Sequence, residues 1–326
     1  MNILILSNTP LPVTKYGGIE RFNWWLGEEL YRMGHRVTFM TPPGTVCNFA
    51  RVVIFDADTP LNKQIPKDID ILHLFEKPDE PLSKPYLVTM HGNNTDFEEL
   101  DENSIFVSKN HAERYGSAAY VHNGLKLQDY GKPTFSQPRT HLHFLGKAAW
   151  RIKNVKGAID IARASGNKLA VMGGRRLNIK MGFRFTPYSS ISFYGMVGGV
   201  EKNQLLRASK GFLFPVLWHE PFGIAIIESL YMGCPVFGTP YGSLPELVPA
   251  EMGTLSDRKS VLVDSLADIG RFDNKKCSEY IADNFTMTNT ARKYVEYYQM
   301  VLNGRKINAT PPKLKELPPK FLPFYE

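Results

Sequence analysis

The sequence predicts an α/β protein of two doubly wound, Rossmann-like domains facing a cleft, with a C-terminal helix packing back on the first domain. Three observations predict it. Strand-type and helix-type segments alternate from one end of the chain to the other, which is the pattern of parallel sheets covered by helices. A Pro- and Gly-rich break, QDYGKPTFSQPRT at 128–140, separates two such series. The 326 residues suffice for two ordinary domains. The expected boundaries are 1–135 for the first domain, 136–285 for the second, and 286–326 for a helix and Pro-rich tail returning to the first.

The elements follow in order. NILILS is a continuous apolar run of buried-strand type, and NTPLPVTKYGG is a Pro/Gly loop. Residues 19–33 place Ile19, Phe22, Leu26, Leu30 and Met33 on one helical stripe, with Gly34 as the stop signal. HRVTFMT, RVVIF, IDILHLF, PYLVTMHG and SIFVS read as strands, and NHAERYG as a short helix after Ser108. The second series runs HLHFLG strand, NVKGAIDIARAS helix, KLAVMGG and SISFYG strands, EKNQLLRAS helix, GFLFPV strand, a helix from Pro221, and CPVFGT strand. Residues 279–303 read as helical, and the Pro-rich tail 305–326 as extended. Ligands of open α/β sheets bind beyond the carboxyl ends of the strands, and domain interfaces favour pockets.

Composition narrows the functional classes. Hydrophobic residues are 43% and charged residues 22%, so a packed globular protein is expected. No run reaches the ~18–20 apolar residues that span a bilayer, and MNILILSN reads as a first strand, not a leader peptide. Three scattered cysteines, Cys47, Cys234 and Cys277, lack metal-ligand spacing and suit a reducing, cytoplasmic compartment. The net charge of +7 is spread without basic runs. That disfavours nucleic acid and leaves an anionic small substrate or peripheral contact with an anionic membrane face.

The segment HEPFGIAIIES, 219–229, carries the most chemistry. Pro221 suits a first helical position, which puts Glu220 at the N-cap and Glu228 nearly two turns in, ~10 Å along the axis at 1.5 Å per residue. Such a helix start also offers free N–H groups to an anion. One element would then hold a ribose with Glu228, a diphosphate with backbone amides, and a sugar near Glu220. An ordinary amphipathic helix with a solvent-exposed Glu228 is the competing reading. The largely apolar flanks IAII and SLYMG weigh against it, because a buried carboxylate needs partners and ligand hydroxyls would supply them.

The segment HEPFGIAIIESLYMGCPVFGTPYGSLPELV resembles the signature of GT4-type retaining glycosyltransferases of the GT-B fold. GGIERFNWWLGEELYRMGHRVTFMT, VTMHG, FVSKNHA, VHNGL and FLGKAAWRIKNVKGAI resemble further landmarks of that family, so the likeness extends over most of the chain. The resemblance implies sugar transfer from a nucleoside-diphosphate sugar to a hydroxyl of a glycan, lipid-linked or small-molecule acceptor. It implies retention of configuration, with no essential metal and no cofactor beyond the donor. It assigns Glu228 to the donor ribose and Glu220 to the neighbourhood of the transferred sugar. Pro221, Phe222, Gly223 and Ile224 fall on the donor side, and His91 contacts the transferred sugar. Gly242, Pro245 and Glu246 match a Gly-x-x-Pro-Glu element.

A departing diphosphate needs a metal or fixed cations and dipoles. Lys147, directly after Gly146, and Lys153 fit the family's basic spacing, although Arg is commoner at the first position and Lys156 rivals Lys153. Gly17 and Gly18 permit close backbone approach to a substrate. Trp24 and Trp25 offer a sugar-stacking surface, with core packing the alternative for at least one. Three rival readings stand beside this one. Asp56-Ala57-Asp58 resembles the metal-binding Asp-x-Asp of single-domain glycosyltransferases, though it is also a frequent turn. A nucleotide-sugar epimerase of the same fold would act without an acceptor. An inactive GT-B copy would serve as a binding subunit.

Overall fold

The computed structural model describes residues 1–13, 17–179 and 181–326. Contacts divide the chain into two compact units, one containing 1–13, 17–125 and 286–317, the other 126–285 and 318–326. In the loop after the first strand, residues 14–16 lie outside the described residues.

The first unit holds β1 (Asn2–Leu6), α1 (Gly18–Arg32), β2 (Arg36–Thr41), β3 (Arg51–Ile54), α2 (Leu61–Gln64), β4 (Ile71–Leu74), β5 (Tyr86–Met90), β6 (Ser104–Phe106) and α3 (Lys109–Arg114). The sheet order is β3-β2-β1-β4-β5-β6, and every pairing is parallel. This is the doubly wound order, with its switch point between β1 and β4. The central strands are buried and largely apolar because helices cover both faces. On α1, Phe22, Leu26 and Leu30 are buried as the stripe requires, while Ile19 is 42% exposed and Trp25 takes the inward position. Trp24 stacks on Phe39 at 5.7 Å, so both tryptophans pack within the fold.

The second unit holds β7 (His141–Leu145), α4 (Val155–Ala164), β8 (Leu169–Met172), β9 (Leu177–Asn178), β10 (Arg184–Phe185), β11 (Ile191–Gly195), α5 (Gly199–Arg207), β12 (Ser209–Phe214), α6 (Ile224–Tyr231), β13 (Val236–Gly238), α7 (Leu244–Leu247), β14 (Gly253–Leu255), α8 (Lys259–Ala267) and α9 (Asn274–Asn284). Its parallel sheet runs β11-β8-β7-β12-β13-β14, the same winding, with the switch point between β7 and β12.

The stretch 279–303 is two helices, not one. α9 ends at Asn284, and α10 (Met287–Leu302) starts afresh with Thr286 as N-cap, accepting from the Asn289 amide at 3.3 Å. α10 belongs to the first unit, where Thr288 donates to Glu29 at 2.7 Å and Tyr298 bonds buried His73 at 2.6 Å.

Two boundaries differ from those read in the sequence. The first unit ends at Leu125, not 135, because Tyr130 is buried in the second unit and its carbonyl accepts from Arg207 at 2.7 Å. The last residues, 318–326, also join the second unit, where the Leu322 amide donates to the Leu217 carbonyl at 2.8 Å.

Candidate active site

In the second unit, β7 and β12 are neighbours whose following loops diverge at the switch point. Backbone contact brings the exits together. At Gly173, φ is +115° and a Cβ would overlap the Gly146 carbonyl, so two strand ends meet where only glycine fits. The Asn154 carboxamide accepts from the Gly157 amide at 3.0 Å, capping α4, and donates to the Pro215 carbonyl at 2.9 Å. The Leu217 amide donates to the Ile152 carbonyl at 2.7 Å. The two loops are therefore laced together on both sides of Lys153 and just ahead of Glu220.

Lys153 and Glu220 form a buried ion pair, Nζ to Oε2 at 2.5 Å. The Trp218 indole donates to the same oxygen at 2.7 Å. The Lys153 ammonium also lies 4.8 Å from the Trp218 ring centre and 5.3 Å from that of Phe214. Of the two rival lysines, Lys153 faces Glu220 and is buried, while Lys156 is exposed on α4. Lys147 is half-buried with its ammonium 4.7 Å from the Trp150 ring centre.

The Gly-Ser-Leu-Pro-Glu stretch anchors the Glu220 loop. Gly242 has φ +65°, and a Cβ there would overlap the Glu220 backbone. The Ser243 amide donates to the Glu220 carbonyl at 2.9 Å, and its hydroxyl to the Phe222 carbonyl at 2.6 Å. Gly242→Ala therefore combines a disfavoured φ with a backbone clash. It should destabilise the protein by at least ~2 kcal/mol, read as a lower urea midpoint at unchanged slope.

Pro221 is not the first helical residue. α6 begins at Ile224, and Gly223 at φ +83° caps it without any side-chain bond. The left-handed turn at Gly223 interrupts the helix that Pro221 would otherwise open. Glu228 consequently lies about one turn inside the helix, and the two-turn spacing from Pro221 does not apply. Pro221 and Phe222 are buried ahead of the helix, whereas Gly223, Ile224 and Ala225 are half-buried at its open end. That end presents N–H groups and the positive end of the helix dipole.

Glu228 is 2% exposed, and its immediate partners are protein groups. Its Oε1 accepts from the Tyr130 hydroxyl at 2.5 Å and from the Lys202 ammonium at 2.6 Å. Tyr130, Lys202 and Trp218 were not singled out in the sequence. Lys202 had a readable signal: it sits four residues before buried Leu206, on the inward face of α5. Tyr130 lies in the Pro- and Gly-rich stretch 128–140, whose composition gives no sign of a buried side chain.

The remaining expected residues lie in the first unit. Gly17 is buried at the N-cap of α1 with extended backbone, and a Cβ would press on Glu20 and Val13 at 2.8 and 3.0 Å. Gly18 opens the helix. His91 follows β5, its ring 4.9 Å from Phe22 and 5.5 Å from Phe75. Burial lowers its pKa to about 3, so the imidazole is neutral at physiological pH. Asp56 is the pivot of a turn, accepting from the Asp58 amide at 3.0 Å and the Thr59 hydroxyl at 2.8 Å. Among the described residues no group of three or more His, Cys, Asp or Glu could hold a metal ion.

Residues 139–271 match the family model of glycosyl transferases group 1. The match falls entirely within the second unit. The matched span includes Lys147, Lys153, Glu220 and Glu228. Solved structures agree in fold over nearly the whole chain. AviGT4, a glycosyltransferase involved in Avilamycin A biosynthesis, is 20% identical, with TM-score 0.73 over 93% of this chain and 98% of its own. A glycosyltransferase from Rickettsia africae ESF-5 is 14% identical, with TM-score 0.70 over 92% and 98%. Anabaena Alr3699/HepE, solved in complex with UDP-glucose, is 15% identical, with TM-score 0.66 over 92% and 99%. Comparison with curated proteins returned no match. The fold is GT-B, with two Rossmann-like units. No helix among the described residues is long and apolar enough to cross a membrane.

Proposed function

We propose that this protein is a GT4-like retaining glycosyltransferase, moving a sugar from a nucleoside-diphosphate sugar to an acceptor hydroxyl without an essential metal. The observation that carries the reading is the buried Lys153–Glu220 pair at the switch point of the group 1 domain, 2.5 Å from nitrogen to oxygen. Loops laced to each other hold a cation where a diphosphate would depart, so little reorganisation is needed as charge develops there. Lys147 and the uncapped amides of α6 supply further positive potential from the same unit. In this reading, Glu228 grips the donor ribose, and Tyr130 and Lys202 fix the orientation of its carboxylate. Neutral His91 serves as a hydrogen-bonding group toward the sugar. That Anabaena Alr3699/HepE was solved with UDP-glucose makes a uridine donor the first to try.

Incubation with a panel of nucleotide sugars and acceptors, following nucleoside diphosphate release, tests the proposal. Release that depends on an acceptor supports transfer. A new nucleotide sugar formed from donor alone would mark an epimerase, and donor binding without any turnover a binding subunit. Glu228→Ala should raise the nucleotide Kd by ~10–100-fold, the scale of one charge-assisted hydrogen-bonding group, as measured by calorimetry. Unchanged affinity in a folded variant would remove Glu228 from the ribose role.

A further inference from the structure

The first unit carries a cavity of about 890 Å³ at the switch point between β1 and β4. Its charge runs against that of the chain. The sequence has a net charge of +7, yet Glu20, Asp58, Glu76, Asp79 and Glu80 all line this space. Among the described residues Lys77 is the one basic side chain in the lining, and its ammonium donates to the Glu99 carbonyl at 3.0 Å.

A second observation is independent of those carboxylates. Asn23 Oδ1, Thr9 Oγ1 and His91 Nε2 are buried with no hydrogen-bond partner among the described residues, and all three residues line the cavity. Asn23 is 2% exposed. An amide oxygen can only accept a hydrogen bond, and so can an ionised carboxylate. Buried polar atoms without partners are rare in folded proteins and call for a ligand or water to complete them. The lining is therefore rich in acceptors and poor in cations, and it suits a ligand rich in O–H and N–H donors. Phe55 and Phe75 add ring surface on which the C–H face of a pyranose can lie.

We propose that this cavity is the acceptor site and that it takes an amine-bearing sugar, whose ammonium meets the carboxylates while its hydroxyls donate to Asn23 Oδ1. The word acceptor rests on the glycosyltransferase reading above; the preference for a cationic polyol does not. An anionic or phosphorylated acceptor is disfavoured here, because it would face five carboxylates and a single lysine.

The test is equilibrium binding by calorimetry in the absence of any nucleotide, at low salt and neutral pH. The probes are methyl 2-amino-2-deoxyglucoside, methyl glucoside and glucose 6-phosphate. The aminated probe should bind ~10-fold tighter than the neutral one and tighter still than the phosphate, the scale expected of a few partly exposed charge contacts. The double variant Glu20→Gln/Asp58→Asn should remove most of that ~10-fold advantage and leave the neutral probe unchanged. Binding of the neutral or phosphorylated probe as tightly as the aminated one overturns the proposal. So does absence of binding by all three. A protein that fails to bind nucleotides yet prefers the aminated probe would refute the transferase reading and leave this one standing.

Discussion

Lys153→Met is expected to lower turnover by at least ~100-fold, the usual consequence of deleting one preorganised group that stabilises transition-state charge. The structure adds a second consequence. Lys153 is buried against Glu220, so the single substitution leaves Glu220 a buried carboxylate with the Trp218 indole but no counter-charge. Breaking such a pair costs about 3–5 kcal/mol, and lost activity alone would be ambiguous. The double variant Lys153→Met/Glu220→Gln separates the effects, since it removes both charges together. Its unfolding midpoint should recover most of the loss, while turnover stays at least ~100-fold down. Recovery of turnover along with stability would show that the pair is structural and that the diphosphate cations lie elsewhere, with Lys147 and Lys156 the remaining candidates.

Stability should fall steeply in mild acid, and four imidazoles are responsible. His73 sits between the Tyr298 and Thr89 hydroxyls at 2.6 and 2.8 Å, and His143 between Ser209 and Ser229 at 2.7 and 2.8 Å. Each is fully buried on an inner strand, and burial holds its pKa well below the usual histidine value. Burial likewise lowers His91 and His111 to about 3. In the unfolded chain all four titrate near 6.5. Between about pH 6.5 and pH 3 the unfolded state thus binds more protons, so stability rises with pH in that window and is level above it. Well below pH 6.5 each imidazole contributes more than about 1 kcal/mol per pH unit. Together they approach about 5 kcal/mol per unit, against a total stability of about 5–15 kcal/mol. Urea unfolding followed by circular dichroism should show midpoints level from pH 8 to about 6.5 and collapsing toward about pH 4.5. A level midpoint down to about pH 4.5 would mean that these rings ionise in place.

Most of the fold was legible because its signals are long. The apolar runs of β1, β4, β7 and β12 and the stripe of α1 span several residues with one period each. β9, β10, α2 and β14, of two to four residues, have neither an apolar run nor enough positions to display a period. α8, of nine residues, was not read either. The start of α6 was misread for a physical reason. Pro221 carries a helix-start signal, and the positive φ of Gly223 that overrides it is invisible in sequence. The break at Thr286 was hidden because helical residues flank it on both sides.

The candidate site was half legible. Glu220 and Lys153 were identified separately, but their pairing was not, since 67 residues separate them and the parallel sheet alone brings them together. Glu228 was expected to await a ligand. Tyr130 and Lys202 occupy its Oε1, and neither belongs to a motif.

The most direct test of the central claim is a thermal-shift panel with UDP, GDP and ADP on the wild type and on Glu228→Ala. A ligand that binds only the folded state raises its stability. At least one of the three should raise the wild-type midpoint, and the rise should be largely lost in the variant. No shift with any of the three nucleotides, or an equal shift in both proteins, would contradict a nucleotide site built around Glu228.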